Sequence, residues 1–350
     1  PIIINSYGEI YSESDKPRFD GNGTVNPTLN IKNIEFWEIN NLQITNLGAT
    51  RAQWRRAVNV TADRFGQMDH IHLKNLYIHS VNGELSVFGG GNAINIGVVE
   101  TETQQSHLND VLIENCHFES VDNVAILGGG GYPTDKPGPQ GTNIVIRDNL
   151  FEDIGGAAIC LIGSDGALVE YNVVNGAIMR EANCAIWPFA ADNSVIQYNE
   201  VYNCVDNGDG EAYDADYQCD GTIFQYNYSH DNPGGFMRIC NGDPGSGHYN
   251  TNTIVRYNIS VNDGKSDDAL IELWKRLDNC QVYNNILYIT ANRGTIDFVG
   301  SNKYGGGEGG TNYWWNNIFF VGSGSTGRFS VDDGSSNTWS NNCFYGSIKT

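Results

Sequence analysis

Acidic and cationic side chains gather in the middle of the chain, at a spacing that suits acid–base chemistry. Asp214, Arg238 and Glu272 occupy the same place in successive short β-rich segments, and Asp216 follows the first of them by two residues. Two carboxyl groups with room for a water between them can supply the general acid and general base that hydrolyse a glycosidic bond. Arg238, between Asp214 and Glu272, would hold one carboxylate ionised or bind a sugar hydroxyl.

Two carboxyl pairs could perform this reaction. Asp214 and Glu272 would lie ~9–10 Å apart at the backbone if each segment is one strand, whereas Asp214 and Asp216 would lie ~7 Å apart along one strand. Crowding of carboxylates raises the pKa of one member, as a general acid at neutral pH requires. We therefore assign catalytic roles to Asp214, Asp216, Glu272 and Arg238. His230 is a further candidate acid or base, although its place in the repeat predicts a turn.

Aromatic side chains flank these acids at positions that we expect to face outward. Flat rings stack on the apolar C–H faces of sugars and so combine contact area with orientation. Polar neighbours of the same segments would bind sugar hydroxyls. The predicted substrate-binding residues are Trp187, Phe189, Tyr213, Trp274, Glu211 and Asp297.

Two other interpretations of the acids stay open. Asp214, Arg238 and Glu272 could form a surface ion ladder without a catalytic role. Clustered carboxylates also suit hard cations. A calcium site would use Asp209, Glu211, Asp214 and Asp216. Hydrolysis itself requires no cofactor, so calcium is an optional ion in this interpretation.

A short repeat determines where these side chains lie. A β-rich run followed by asparagine recurs from Asn46 to Asn342, in ten steps that vary from 23 to 40 residues. Fixed strands joined by variable turns are typical of a solenoid with loops on one face. Stacked coils pair their strands in parallel at ~4.8 Å and bury a continuous interior. Asparagine tolerates left-handed backbone geometry, and its amide can bond to the asparagine one coil away.

A second β-rich register precedes each asparagine and carries the candidate site. Side chains alternate along a strand, so one apolar residue faces inward and the next faces outward. The outward column runs through Asn95, Leu127, Cys160, Trp187, Asp214, Arg238, Glu272, Asp297 and Ser330. The sequence therefore predicts an all-β fold, a single-domain right-handed parallel β-helix of about ten to eleven coils. This domain would span residues 1–350 and be trimmed at one or both ends.

Over almost its whole length the repeat resembles the pectin-lyase-like superfamily of parallel β-helix proteins, which are mostly carbohydrate-active enzymes. The stretches Asp209–Asp216 and Tyr226–Phe236 are similar to a block of bacterial right-handed β-helix proteins found among glycan-degrading enzymes. The Asn-Thr-Asp, Gly-His-Gly and Arg-x-Lys blocks of polygalacturonases are absent from the sequence. The resemblance implies a carbohydrate substrate but transfers no polygalacturonase catalytic residue.

The charge of the chain narrows the class of partner. Its formal net charge is −21, which repels nucleic acid and anionic membranes. No apolar run approaches the ~20 residues of a membrane span. The chain opens on a strand without a signal peptide, and we expect a monomer that is secreted, periplasmic or at the cell surface. The expected partner is a polysaccharide or oligosaccharide.

The eight cysteines show neither a CxxC pair nor zinc spacing. Several stand at strand positions and are interpreted as small interior residues, with one or two disulfides left open. An upstream basic cluster would either bind an acidic sugar or pair with surface acids. It consists of Arg51, Arg55, Arg56, His70 and His72. Gly-rich insertions at 128–141 and 301–311 are predicted cleft walls.

Three functions remain after these exclusions. The first is a glycoside hydrolase that uses the central carboxylates and the flanking rings. The second is a polysaccharide lyase or uronate epimerase, in which a base and a cation such as Ca²⁺ act on a uronate. Arg238, Lys275, Arg276 and His230 could be recruited for that. The third is a non-catalytic carbohydrate-binding solenoid, which would have aromatic residues without a carboxyl pair of divergent pKa.

Overall fold

The structure, a computed structural model, describes residues 1–86, 90–101, 103–128, 140–241, 250–264, 269–274, 277–301, 310–331 and 336–349. The chain is a right-handed parallel β-helix, as the repeat predicted. Its strands pair in parallel from coil to coil and form three walls. We name them walls A, B and C, in the order in which the chain passes through them in each coil.

Wall A carries the β-rich runs that precede the repeated asparagines. Its strands are Ile2–Ile4, Trp37–Asn40, Gly66–Lys74, Ser106–Glu114, Gly141–Arg147, Leu168–Glu170, Val195–Gln197, Ile223–Gln225, Ile254–Arg256, Gln281–Tyr283, Thr311–Trp315 and Ser336–Ser340, with the short strand Ser164–Asp165 beside Gly141–Arg147.

From the second coil onward, each strand of wall B follows a wall A strand after a tight turn. Its strands are Arg18–Asp20, Gln43–Asn46, Tyr77–Val81, His117–Val121, Leu150–Ile154, Val173–Asn175, Glu200–Tyr202, Tyr228–His230, Ile259–Val261, Ile286–Ile289, Ile318–Val321 and Cys343–Tyr345.

Wall C contains the second register of the sequence. Its strands are Leu29–Lys32, Val58–Asp63, Ile94–Val99, Ile126–Gly128, Ile159–Ile162, Ile186–Phe189, Glu211–Ala215, Gly235–Cys240, Ile271–Trp274, Gly294–Ser301, Ser325–Ser330 and Ile348–Lys349. Two elements lie outside the walls. They are a 3₁₀ turn, Glu13–Asp15, and a two-stranded pair, Asn250–Thr251 with Leu277–Asp278.

Among the described residues each wall contains a path of twelve strands, so the solenoid has twelve coils rather than ten to eleven. The sequence missed the first coil, whose wall A strand Ile2–Ile4 comes before the first asparagine of the repeat. The first repeat was also assigned to the wrong wall. The run that ends at Asn46 lies in wall B, where Gln43 pairs with Tyr77. The wall A strand of that coil is Trp37–Asn40, which pairs with the run before Asn75. Asn41 is therefore the equivalent of Asn75.

Buried apolar side chains from all three walls form one continuous interior cluster. Inward positions alternate with outward ones, so that Leu73 and Ile113 are buried while Lys74 and Glu114 are not. Aromatic residues stack along the interior, as Phe118 does on Phe151 with ring centroids 4.8 Å apart. This stacking of like side chains replaces the packing of helices on a sheet that other parallel folds use.

A ladder of buried asparagines runs along the turn between walls A and B. The Asn172 amide donates to Oδ1 of Asn199 at 2.9 Å and to the carbonyl oxygen of Ile146 at 3.0 Å, and the same pattern recurs from Asn149 to Asn342. The left-handed residue is the one before the ladder asparagine. In the middle coils it is a tyrosine, as at Tyr171 with φ 55° and Tyr198 with φ 55°. The side chain of Asn172 thus satisfies two backbone groups of the preceding coil, the carbonyl of Ile146 and the N–H of Asn149, and also contacts the asparagine of the next coil.

None of the eight cysteines, all of which lie in described segments, forms a disulfide, and seven are buried. Cys116, Cys204 and Cys280 belong to the interior cluster, although they lie between strands. Cys160 lies in a strand but belongs to a smaller apolar cluster outside the interior. Within the described ranges, no helix has the length and apolar character needed to cross a membrane.

Candidate functional site

A pocket of about 210 Å³ opens on the outer face of wall C. It lies over four consecutive strands, Ile186–Phe189, Glu211–Ala215, Gly235–Cys240 and Ile271–Trp274, and over the turns beside them. Its lining residues are Ala182, Asn183, Cys184, Trp187, Phe189, Asp209, Asp214, Asp216, Tyr217, Arg238, Cys240 and Trp274.

Strand register brings the predicted central column together. Ile186 pairs with Tyr213, which makes Trp187 and Asp214 neighbours across two strands. Asp214 in turn pairs with Arg238, and Arg238 pairs with Glu272. Residues spread over nearly ninety positions of sequence therefore form one vertical row, because coil after coil repeats the same path through wall C.

Asp214 lies at the buried floor of the pocket, where it is 4% exposed. The thiols of Cys240 and Cys184 donate to its carboxyl group, with Sγ–O distances of 3.5 and 3.7 Å. Burial, together with the neighbouring Asp216, raises the pKa of Asp214 well above its usual range. Desolvation in this environment favours the protonated form of the carboxyl group over the ionised form.

Asp216 lies nearer to the opening than Asp214. Its Oδ1 accepts a hydrogen bond from Cys240 Sγ at 2.9 Å and one from the backbone N–H of Tyr217 at 2.7 Å. Burial raises the pKa of Asp216 to about 6, although both hydrogen bonds act in the opposite direction. Asp216 is therefore a carboxyl group that exchanges its proton close to neutral pH.

Arg238 is the one cation that lines the pocket among the described residues, and carboxylates surround it. Its Nη2 lies 2.6 Å from Glu211 Oε1 and 2.7 Å from Glu272 Oε2, and its Nη1 contacts Asp209. The guanidinium carbon also lies 5.4 Å from the centre of the Trp274 ring. Burial raises the pKa of Glu211 to about 8 against the opposing effect of Arg238. One guanidinium cannot balance three carboxylates in a buried setting, so Glu211 is the member that takes up a proton.

The aromatic residues line the pocket beside the acids. Trp187 meets Phe189 edge to face at 6.5 Å, Phe189 lies 6.1 Å from Tyr217, and Tyr217 meets Trp274 at 6.2 Å. Trp187 and Phe189 belong to a small apolar cluster outside the main interior. Trp187, Phe189 and Trp274 thus lie beside the carboxyl groups, where the sequence placed them.

Five predicted site residues do not line the pocket. Glu211 and Glu272 still contact Arg238, whereas the other three, of which Tyr213 is the first, lie elsewhere. Tyr213 is fully buried in the solenoid interior, and its hydroxyl donates to the carbonyl oxygen of Asn199 at 3.1 Å. Alternation along the strand explains this: Asp214 faces outward, so its neighbour must face inward. Tyr213 supports the strand that carries the acids and cannot contact a substrate.

His230 and Asp297 are also outside the pocket. His230 lies on wall B, where its ring stacks on Tyr202 at 4.7 Å and its Nε2 lies 3.3 Å from Glu200. Asp297 lies on wall C, but its strand contains a bulge, and Gly300 rather than Asp297 pairs with Glu272. Asp297 instead forms an ion pair with Arg328 at 2.5 Å. The bulge adds one residue after Asp297 and accounts for only part of this three-residue offset, and the spacing of residues reveals neither the bulge nor the register.

Several lining residues were not predicted as catalytic or substrate-binding. Asn183, Cys184, Tyr217 and Cys240 adjoin the strand ends, and Asp209 was proposed only as a calcium ligand. Nε1 of Trp187 and Nδ2 of Asn183 are buried and have no hydrogen-bond partner in the described part of the chain. Buried donors without partners are costly and suit a bound ligand that accepts hydrogen bonds. One feature of the sequence could have indicated Asn183 and Cys184 as lining residues: they come just before the strand that contains Trp187.

The four acids proposed for calcium do not share one centre. Arg238 contacts Asp209 and Glu211, whereas Asp214 and Asp216 lie with Cys240. Ligand atoms of those last three residues lie within 4.8 Å of one another. Calcium takes oxygen ligands, so a thiol in the set does not favour it. Calcium binding itself stays a prediction.

Some of the sequence predictions fall outside the described residues. They are Lys275, Arg276 and almost all of the two Gly-rich insertions. The upstream basic cluster lies within the described residues. The interpretation that it pairs with surface acids holds for part of it. Arg51 pairs with Asp122 at 2.7 Å, and Arg55 donates to backbone carbonyls and to Asn82.

No family model matches the chain. It is 28% identical to the lacto-N-biosidase of Bifidobacterium longum subsp. longum, over an alignment that covers 83% of this chain and 23% of that protein. A crystal structure of GH136 lacto-N-biosidase from Eubacterium ramulus matches 99% of this chain and 58% of that chain, with a TM-score of 0.73 and 23% identity. The chain thus spans less than two thirds of the lacto-N-biosidases that it matches.

Two other solved structures share the fold at lower similarity. One is a tailspike protein of an E. coli bacteriophage in complex with a pentasaccharide, with a TM-score of 0.54, 10% identity, and coverage of 88% of this chain and 71% of that chain. The other is a periplasmic alginate epimerase, with a TM-score of 0.52, 11% identity, and coverage of 91% and 77%. These matches show the parallel β-helix alone.

Proposed function

We propose that this chain carries the active site of a glycoside hydrolase that cleaves lacto-N-biosides. The observation that carries the proposal is the wall C pocket, where carboxyl groups of raised pKa lie beside an arginine-bound carboxylate and a row of aromatic rings. The likeness to lacto-N-biosidase over most of the chain supports the substrate class. Action outside the cytoplasm and a monomeric state stay predictions.

Asp216 is the general acid in this proposal. An acid works best when its pKa lies near the working pH, and burial raises the pKa of Asp216 to about 6. Asp216 also lies closer to the opening than Asp214, which is buried at the floor. The Asp216 carboxyl would donate its proton to the glycosidic oxygen as the bond to the leaving group breaks.

Asp209 is the second carboxylate. Its side chain is 38% exposed, lines the pocket and contacts the guanidinium of Arg238. Glu272, in contrast, does not line the pocket. Its Oε2 accepts hydrogen bonds from Nε and Nη2 of Arg238, at 3.0 and 2.7 Å. Arg238 and Glu272 would therefore position Asp209, which either attacks the sugar or activates a water.

Substrate binding would use the aromatic wall and the two buried donors. Trp187, Phe189 and Trp274 offer ring surface for the C–H faces of a sugar. The N–H groups of Trp187 and Asn183 would donate to sugar hydroxyl or amide oxygens, which removes the cost of leaving them without partners. The proposal thus assigns a binding role to both of these donors.

A panel of chromogenic substrates tests the function. The purified chain is incubated with 4-nitrophenyl glycosides of lacto-N-biose, N-acetylglucosamine and galactose, and with a uronate polymer. We expect release of the intact disaccharide from the first substrate and no unsaturated uronate from the polymer. Release of an unsaturated uronate would support the lyase instead, and binding without turnover would support the non-catalytic solenoid.

A matched pair of variants connects the activity to the pocket. Asp216→Asn should lower kcat/KM on an oligosaccharide substrate by about 10²- to 10⁴-fold, whereas Asp231→Asn should leave it unchanged. Asp231 lies in a turn after wall B, next to His230, with φ 56°. Asparagine tolerates that left-handed geometry as aspartate does, so the control removes a carboxylate without strain.

A further inference from the structure

A second group of ionisable side chains lies on the outer face of wall A, away from the pocket. Glu38, His70 and His72 each offer one ligand atom, and these three atoms lie within 4.8 Å of one another. Their exposed side-chain fractions are 15%, 22% and 16%, so the group is half-buried yet reachable from solvent. It belongs to the second and third strands of wall A, whereas the pocket uses the sixth to ninth strands of wall C.

Strand register positions the group. Glu38 pairs with His72 across neighbouring strands, so their outward side chains are vertical neighbours. His70 has φ 57°, and Asp110 in the next coil has the same value at the matching position of its strand. These two irregular residues therefore stack, which brings a carboxylate against both imidazoles.

Asp110 determines which ring nitrogens carry hydrogen. Its carboxylate accepts from Nδ1 of His70 at 2.8 Å and from Nε2 of His72 at 3.0 Å. A carboxylate only accepts hydrogen bonds, so both of those nitrogens are N–H donors. In the neutral rings, Nε2 of His70 and Nδ1 of His72 are then the nitrogens with a free lone pair.

The remaining contact of His70 has a length typical of two ligands that share a metal ion. Nε2 of His70 lies 3.5 Å from Oε1 of Glu38, which is long for a hydrogen bond. Two ligands bound tetrahedrally at ~2.1 Å from one ion lie ~3.4 Å apart. The other oxygen of Glu38 is already occupied, because Lys74 Nζ lies 2.7 Å from Oε2.

We propose that Glu38, His70 and His72 bind one divalent transition-metal ion of the Zn²⁺ type, with Asp110 as the positioning residue. Two imidazoles and a carboxylate form a common zinc ligand set, and a water would complete the tetrahedron. A carboxylate that accepts the second N–H of a metal-bound histidine orients the ring and increases its basicity. The ion joins two neighbouring coils, so its role is to clamp the N-terminal part of the solenoid.

Calorimetric titration of the metal-free chain with ZnCl₂ tests the stoichiometry and the ligands. We expect one ion per chain, a loss of affinity of at least 100-fold in His70→Asn and His72→Asn, and a loss of about 10- to 100-fold in Asp110→Asn. Asparagine is chosen at position 70 because it accepts a left-handed backbone. His117→Asn is the matched control, since His117 lies on wall B and bonds to Glu152 instead.

Cobalt substitution locates the ion. Co²⁺ at Glu38, His70 and His72 should give tetrahedral visible bands without a thiolate charge-transfer band. Such a band, removed by Cys240→Ser, would place the ion at Asp214, Asp216 and Cys240 and would overturn the proposal. Absence of binding to the unaltered chain, or equal binding by the His70→Asn and His72→Asn variants, would overturn it as well.

Thermal unfolding supplies a readout for the clamp. An ion that binds only the folded chain stabilises it by mass action, so Zn²⁺ at 100-fold excess over Kd should raise the midpoint by about 2 °C or more. The rise should disappear in His72→Asn and persist in His117→Asn. A midpoint that Zn²⁺ leaves unchanged would contradict the clamp.

Discussion

Replacing Asp216 by asparagine removes the proposed proton donor while keeping the size of the side chain. Burial raises the pKa of Asp216 to about 6 from its ordinary value of 3.8. That difference corresponds to about 3 kcal/mol in favour of the protonated form. At about pH 7 a tenth of the molecules would carry the proton, so kcat/KM should fall about tenfold for each further pH unit.

The size of the loss depends on the leaving group. General acid catalysis contributes about 10²- to 10⁴-fold, which is about 3–5 kcal/mol of the activation free energy. Asp216→Asn should lose that factor on an oligosaccharide, whose sugar alkoxide needs a proton to leave. It should lose far less on a 4-nitrophenyl glycoside, because nitrophenolate leaves without one.

The assay compares both substrates over a pH range from about 4 to 9, for the unaltered chain, Asp216→Asn and the control Asp231→Asn. The kcat/KM of the unaltered chain should decrease above about pH 6, the pKa of Asp216, and this decrease should be missing in Asp216→Asn. Circular dichroism melts verify that the variants are folded.

Two results would refute the assignment. One is an equal loss on both leaving groups, which would make Asp216 a nucleophile or a binding residue. The other is a leaving-group effect in Asp214→Asn but not in Asp216→Asn, which would transfer the acid role to the buried neighbour.

Three further predictions concern the pocket and the solenoid. Cys240→Ala removes a hydrogen bond that lowers the pKa of Asp216, so the basic limb of the pH–rate profile should move to higher pH; an unchanged limb would contradict this. Asn227→Leu removes the oxygen that accepts hydrogen bonds from the backbone N–H and the side-chain amide of Asn199. It should lower the free energy of unfolding, measured in urea, by about 3 kcal/mol or more, whereas Asn203→Gly at an exposed position should lower it by less than about 1 kcal/mol. Burial raises the pKa of Asp263 to about 7, so the folded chain keeps a proton that the unfolded chain releases above about pH 4, and stability falls as the pH rises from 4 to 7. Asp263→Asn should make that slope shallower by the share of one proton, while Glu211, Asp214 and Asp216 keep their shares. A slope that the variant leaves unchanged would refute the role of this carboxyl group.

The sequence by itself determined the architecture and the central row of the site. Alternation along a strand is a local property with a period of two, and the asparagine after each run marks one coil, so both can be recognised without coordinates. Trp187, Asp214, Arg238 and Glu272 were placed in one row for this reason, and strand pairing does align them. Tyr213 was wrongly predicted to contact the substrate. Because Asp214 faces outward, the alternation of side chains along the strand places Tyr213 in the interior.

Tertiary structure decided which of these side chains interact. Arg238 takes Asp209, Glu211 and Glu272 as partners. The register of the next strand places Gly300 rather than Asp297 in the row. Such choices depend on turn conformation and side-chain reach, which the spacing of residues does not encode. The raised pKa values depend on desolvation, and desolvation is a sum over every neighbour that the fold brings near. For the same reason only the folded chain shows that His70 and His72 share one carboxylate.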